Sequence, residues 1–91
     1  MNFEWDENKN SSNKNKHGYD FNHASKIFDD KSRIKFRDNK KDYGEERWIT
    51  IGKVLDVILT VVYTIRNSVV RLISARTANK VERNLYNNSN K

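Results

Sequence analysis

Thirty residues, RWITIGKVLDVILTVVYTIRNSVVRLISAR from Arg47 to Arg76, decide what this chain can fold into. Val, Ile, Leu, Tyr and Thr crowd the stretch, and no proline interrupts it. Their spacing predicts strands over about 46–52, 56–65 and 69–75, with turns at Gly52–Lys53 and Asn67–Ser68. Strands joined by such short connections pair antiparallel. The middle run is apolar at Val57, Ile58, Leu59, Val61, Val62 and Ile65 without strict alternation, the pattern of a central strand covered on both faces. A buried helix segment shows the same run, but branched side chains and hairpin-length spacing favour a strand. Arg47, Arg66, Arg71 and Arg76 stand around this apolar centre.

The rest of the chain has little to add to a core. Hydrophobic residues make up 35% of its 91 residues and charged ones 33%, and there are 13 asparagines. A single domain spanning 1–91, with its core drawn from residues 48–73, follows. A chain this short buries only roughly 60–65% of its unfolded surface, so a partner would be physically useful. Residues 1–48 carry 11 basic and 10 acidic side chains, whereas residues 49–91 carry 7 and 2. The excess of positive charge favours a polyanion or an acidic protein as partner. Without cysteine, disulfides, thiolate chemistry and cysteine-ligated zinc are excluded. No signal peptide is visible in MNFEWDENK, and the nine-residue run 57–65 is too short to cross a bilayer as a helix. The default expectation is a soluble cytoplasmic protein.

Phe3 and Trp5 suit a short edge strand or an anchor of the terminus. Between Asp6, an acceptable helix cap, and Gly18, an acceptable stop, DENKNSSNKNKH has no apolar residue, which reads as a solvent-facing helix or an arm ordered on binding. In DFNHASKIFDD, Asn22 can cap a short helix with Ala24, Ile27 and Phe28 as its apolar stripe. Residues 31–37, KSRIKFR, alternate so that Ile34 and Phe36 point one way and Lys31, Arg33, Lys35 and Arg37 the other, as in a half-buried outer strand. Gly44 is placed to turn the charged loop DNKKDYGEE. Thr77 can cap a last helix with Ala78, Val81 and Leu85 at helical spacing. The fold class is therefore α+β: a small antiparallel sheet packed with two N-terminal helices and one C-terminal helix.

Six strings in order, FEWDENK at 3–9, KHG at 16–18, FDD at 28–30, DYGEERWITIG at 42–52, VVYTIR at 61–66 and RLISAR at 71–76, resemble the BrnT family of toxins from bacterial type II toxin–antitoxin modules. The chain departs from that pattern in its asparagine-rich first helix, in Lys31 after FDD where relatives often have proline, and in a 52–57 connection lacking a second glycine. The resemblance implies a RelE/ParE-like fold, metal-independent RNA cleavage that inhibits translation, and no cofactor. It also implies a BrnA-like ribbon-helix-helix antitoxin as partner, with operator DNA contacted through that antitoxin rather than directly.

Metal-free cleavage uses the ribose 2′-hydroxyl as nucleophile, so the protein must move two protons and stabilise charge on the phosphorane. Guanidinium forks match phosphate oxygens, and the order of preference is Arg71, Arg76, Arg47, Arg66. Being five apart, Arg71 and Arg76 would fall on opposite faces of an uninterrupted strand. Sharing a cleft requires the chain to leave the sheet near Ser74. Glu46 is the preferred carboxylate and His17 a natural proton carrier, with Lys16 beside it. His23 reads as solvent-facing and a poor substitute. Tyr63 and Tyr86 suit base stacking, and Arg33 and Lys35 a phosphate track. Each has a plainer reading as well: rim ion pairs for the arginines and Glu46, a helix-end histidine for His17, a core ring for Tyr63. Trp5 and Trp48 read as core anchors. A non-catalytic basic nucleic-acid-binding module and an antitoxin-binding protein with a degenerate site remain competing functions.

Overall fold

The computed structural model describes residues 1–39 and 44–90. In chain order its elements are β1 (Phe3–Glu4), α1 (Glu7–His17), α2 (Phe21–Ala24) running into a 3-10 turn (Ser25–Asp29), β2 (Ile34–Arg37), β3 (Trp48–Val54), β4 (Val57–Arg66), β5 (Val69–Thr77) and α3 (Lys80–Ser89). One sheet collects the strands in the order β1-β5-β4-β3-β2. The long apolar run is its central strand, as expected. The sheet is not wholly antiparallel, because β1 pairs with β5 in parallel, Phe3 opposite Val70. No helix among the described residues is long and apolar enough to cross a membrane.

The Asn67–Ser68 turn forms with both residues at positive φ, 52° and 65°, the backbone that matches the twist of a two-residue hairpin. The first turn falls elsewhere than at Gly52–Lys53. The chain reverses at Leu55–Asp56, with Leu55 at φ 54°, and Gly52 lies buried inside β3 opposite Leu59. The glycine serves close approach: an added Cβ would sit 2.7 Å from Ile27 Cγ1 and 3.0 Å from Arg33 Cβ. Overpacking at such a point costs about 1–3 kcal/mol. Gly52→Ala should therefore lower Tm by roughly 5–20 °C in a chain of this size. A thermal melt checks it, and an unchanged Tm would mean that Ile27 yields freely.

The face of the sheet carrying Leu59, Val61, Tyr63, Val70, Leu72 and Ala75 packs on Phe21, Ala24 and Ile27 of α2 and the 3-10 turn, all buried. Phe28 sits edge-on to Tyr63 and against Phe3. Asp20, not Asn22, caps α2, accepting the His23 N–H at 2.7 Å; His23 is half-buried and stacks on Tyr19. The other face is covered at one end by α3, where Ala78 and Tyr86 join Ile51, flanked by Ile34 and Ile58. Thr77 is the last residue of β5, so the cap of α3 is Asn79, in a reciprocal capping box with Glu82. That phase turns Glu82 and Tyr86 inward and leaves Val81 and Leu85 exposed, the reverse of the expected stripe.

As expected, Asp6 caps α1 and Gly18 ends it at φ 84°. Lacking apolar residues, the helix docks through amides. Asn13 is buried; its Nδ2 donates to Ala75 O at 2.8 Å and Tyr19 O at 2.9 Å, and its Oδ1 accepts from Ala75 N at 3.0 Å. One side chain thus replaces a neighbouring strand along the edge of β5 that β1 is too short to cover. Asn10 Oδ1 adds a bond from the Phe21 N–H at 2.7 Å.

Candidate active site

Arg71 and Arg76 lie on one face of the sheet although they are five apart in one strand. The pairing of β5 with β4 explains this. Arg76 is opposite Thr60, Ser74 opposite Val62 and Arg71 opposite Thr64, while Leu72 already pairs with Tyr63. Ile73 is therefore an extra residue, a bulge that resets the alternation. The strand does not leave the sheet near Ser74; it runs on to Thr77. By the same alternation Arg66 shares this face, and Arg47, one residue before β3, reaches it by extending the β3–β4 register.

Between Arg71 and Arg76, Ile73 and Ser74 form one wall of a groove of about 390 Å³, and Asn8, Lys9, Ser12, Asn13, Lys16 and His17 of α1 form the other. Lys16 and His17 are thus brought to the strand segment that the two arginines flank. From Ser74 the cross-strand row continues through Val62, Ile49 and Phe36, and Phe36 is exposed. Among the described residues, no three His, Cys, Asp or Glu side chains are grouped to hold a metal ion.

Carboxylates partner these guanidiniums. Arg71 Nη1 binds Glu4 Oε2 at 2.5 Å, since β1 places Glu4 directly opposite it. Arg76 forks onto Glu82 at 2.7 and 2.8 Å. Arg66 forks onto Glu45 with both bonds at 3.0 Å. Hydrogen bonds from Arg66 hold the Glu45 carboxyl below its ordinary range; slight desolvation opposes them, and the charges of Arg66, Arg47 and Arg71 add to the lowering. Three cations therefore act on one carboxylate.

Burial alone would raise the Glu82 carboxyl, but the Arg76 fork and the Asn79 N–H outweigh it and bring the pKa from 4.5 to about 2. A carboxylate depressed by folding contributes stability that is complete above its unfolded pKa and is lost as pH falls through the folded one. The stability difference between the wild type and Glu82→Gln should accordingly hold above pH 4.5 and shrink as pH falls through about 2, which paired melts along a pH series would show.

Other candidate residues lie elsewhere. Glu46 is drawn to Arg37 at 2.6 Å, on the side where Arg37 stands over Trp48; the carboxylate of the cluster is its neighbour Glu45. Arg33 lies over Phe28 and donates to Thr50 at 3.2 Å, and Lys35 lies over Trp48. Lys35 pairs with Thr50, on the helix-packed face, so these two bases are separated from Arg71 and Arg76 by the sheet. Tyr63 and Tyr86 are buried, and the Tyr86 hydroxyl donates to Asp30 Oδ2 at 2.7 Å, which leaves neither ring open for stacking. Sequence reasoning missed Glu4, Glu45 and Glu82, and missed Lys9 and Ser12 in the groove. Of these, only Glu82 had a local signal, three residues after the capping Asn79.

A family model described as the ribonuclease toxin, BrnT, of type II toxin–antitoxin systems matches residues 5–82. No curated protein matches the chain.

Proposed function

The chain belongs to the BrnT family of ribonuclease toxins, and from that premise we propose that its reaction takes place on the open sheet face beside α1, without a metal. The observation that carries this reading is the bulge at Ile73, which sets Arg71 and Arg76 on the same face on either side of the α1 groove. RNA laid along the groove has its scissile phosphate near Ser74. The 2′-oxygen attacks phosphorus and yields its proton to a base, for which His17 is the candidate. The P–O5′ bond breaks, and the leaving oxygen takes up a proton. Arg71 and Arg76 turn from Glu4 and Glu82 towards the phosphate and stabilise the charge that builds on it, with Lys16 holding the neighbouring backbone.

The parts of the sheet and helices support a RelE/ParE-like arrangement, with the chain acting as one toxin domain in the cytoplasm. The partner is a BrnA-like ribbon-helix-helix antitoxin that covers the open face, and operator DNA is contacted through it. Binding without cleavage is the competing reading, favoured by the carboxylates already seated on Arg66, Arg71 and Arg76. RNA incubated with the purified chain in EDTA separates the two. Site-limited fragments ending in 2′,3′-cyclic phosphate and 5′-hydroxyl support the reaction; salt-sensitive binding with RNA left intact supports the alternative.

A further inference from the structure

We infer that Glu45 occupies a phosphate-binding subsite for the RNA backbone, formed by Arg66 with Arg47 and Arg71, and that RNA binds there by displacing this carboxylate. The inference rests on the RNA-cleaving reading and adds a resting occupant to its site. Its geometric basis is the fork: Arg66 Nε and Nη2 each donate to one oxygen of Glu45 at 3.0 Å. The same planar donor pair matches two oxygens of a phosphate. Arg66 and Arg71 stand on one face of the sheet, and Arg47 reaches that face from the next strand. All three act on the Glu45 carboxylate.

Among the described residues, the Arg66 fork is the contact that holds the occupant. Glu45 lies three residues before β3; the Arg66 side chain is half exposed and that of Glu45 about 25% exposed. Exposed ion pairs of this kind are weak, so a phosphodiester, which is anionic at every pH of interest and has more than one acceptor to offer, can replace the carboxylate. Glu46 supplies an internal comparison, because it carries the same charge one residue away but pairs with Arg37 on the other side of the sheet.

The test is binding of a 2′-O-methyl RNA oligonucleotide, which lacks the nucleophile and cannot be cut, followed by fluorescence anisotropy at several salt concentrations. Glu45→Gln should bind about two- to fivefold more tightly than wild type, the range that a surface ion pair of this class represents. Glu46→Gln should gain less, and Arg66→Ala combined with Glu45→Gln should lose the gain. Melting curves establish that each variant is folded. Equal affinity for Glu45→Gln and wild type, or an equal gain from Glu46→Gln, overturns the subsite. Because the probe is uncleavable, the outcome is independent of the reaction. A wild type that cuts ordinary RNA while Glu45→Gln gains nothing removes the subsite alone, and a gain without cleavage by any variant removes the reaction alone.

Discussion

Arg71→Ala and Arg76→Ala should each slow RNA cleavage by about 100- to 1,000-fold under single-turnover conditions, the loss typical of removing one donor aimed at a developing negative charge. Binding of an uncleavable oligonucleotide should weaken far less, because a group that stabilises the phosphorane contributes more to the transition state than to the ground state. The two variants differ in their structural side effects. Arg71 leaves Glu4, a residue of a two-residue edge strand, without its partner. Arg76 leaves the half-buried Glu82, which still accepts the Asn79 N–H at 2.9 Å and so keeps its cap. Arg76→Lys preserves charge but lacks the planar fork, and its rate should fall between those of the alanine variant and the wild type. Glu82→Gln tests the opposite direction: it weakens the hold on Arg76 without removing the guanidinium, and should leave cleavage no slower. Rates for both alanine variants within twofold of the wild type, with melting unchanged, would refute phosphate stabilisation by this pair.

The requirement that Arg71 and Arg76 leave their carboxylates gives the site a second property. Their β4 partners, Thr64 and Thr60, are four residues apart, which places the two arginines roughly 13 Å apart along the sheet. Both reach one phosphodiester only by swinging inward over Ser74. Glu4 lies beside Arg71 on β1 and Glu82 on α3, so at rest each guanidinium is held by a different element. In the proposed reaction an anion in the groove draws both arginines off these carboxylates.

Much of this scaffold was legible from residue types alone. The branched run 57–65 could satisfy its apolar surface and its backbone together in a central strand, and Asn67–Ser68 could take positive φ where most residues resist it. Gly52 looked like a turn because its constraint is tertiary: the residue that forbids a side chain there is Ile27, 25 positions earlier. The true turn uses Leu55, which no local preference announces. The site was legible in its cations and not in its geometry. Nothing in RLISAR says that Ile73 bulges, and that single extra residue decides whether Arg71 and Arg76 share a face. Glu45 and Glu46 are indistinguishable as letters; their opposite directions follow from the strand that begins at Trp48. Asparagines in the first helix read as solvation, although one of them is the joint between helix and sheet.

That joint is where the largest loss of stability is expected. Asn13→Ala removes the amide that bonds both the N–H and the C=O of Ala75 and also the C=O of Tyr19. Unsatisfied buried groups cost about 1–3 kcal/mol each, and water entering from the adjoining groove recovers part of that, so a loss of about 2–4 kcal/mol is expected. In a chain of this length such a loss lowers Tm by roughly 10–25 °C. Asn13→Asp should be damaged as well, because a carboxylate can accept from Ala75 N–H but cannot donate to either carbonyl. Hydrogen exchange at the Ala75 amide separates this account from a general loss of helix. The amide should be protected in the wild type and exchange rapidly in Asn13→Ala, while the amides that join β4 to β3 keep their protection until global unfolding. An Asn13→Ala protein that melts within about 2 °C of the wild type, or that protects Ala75 equally well, would show that α1 is held to the sheet by something other than this side chain. The groove that His17 and Lys16 share with Ser74 would then need a different support.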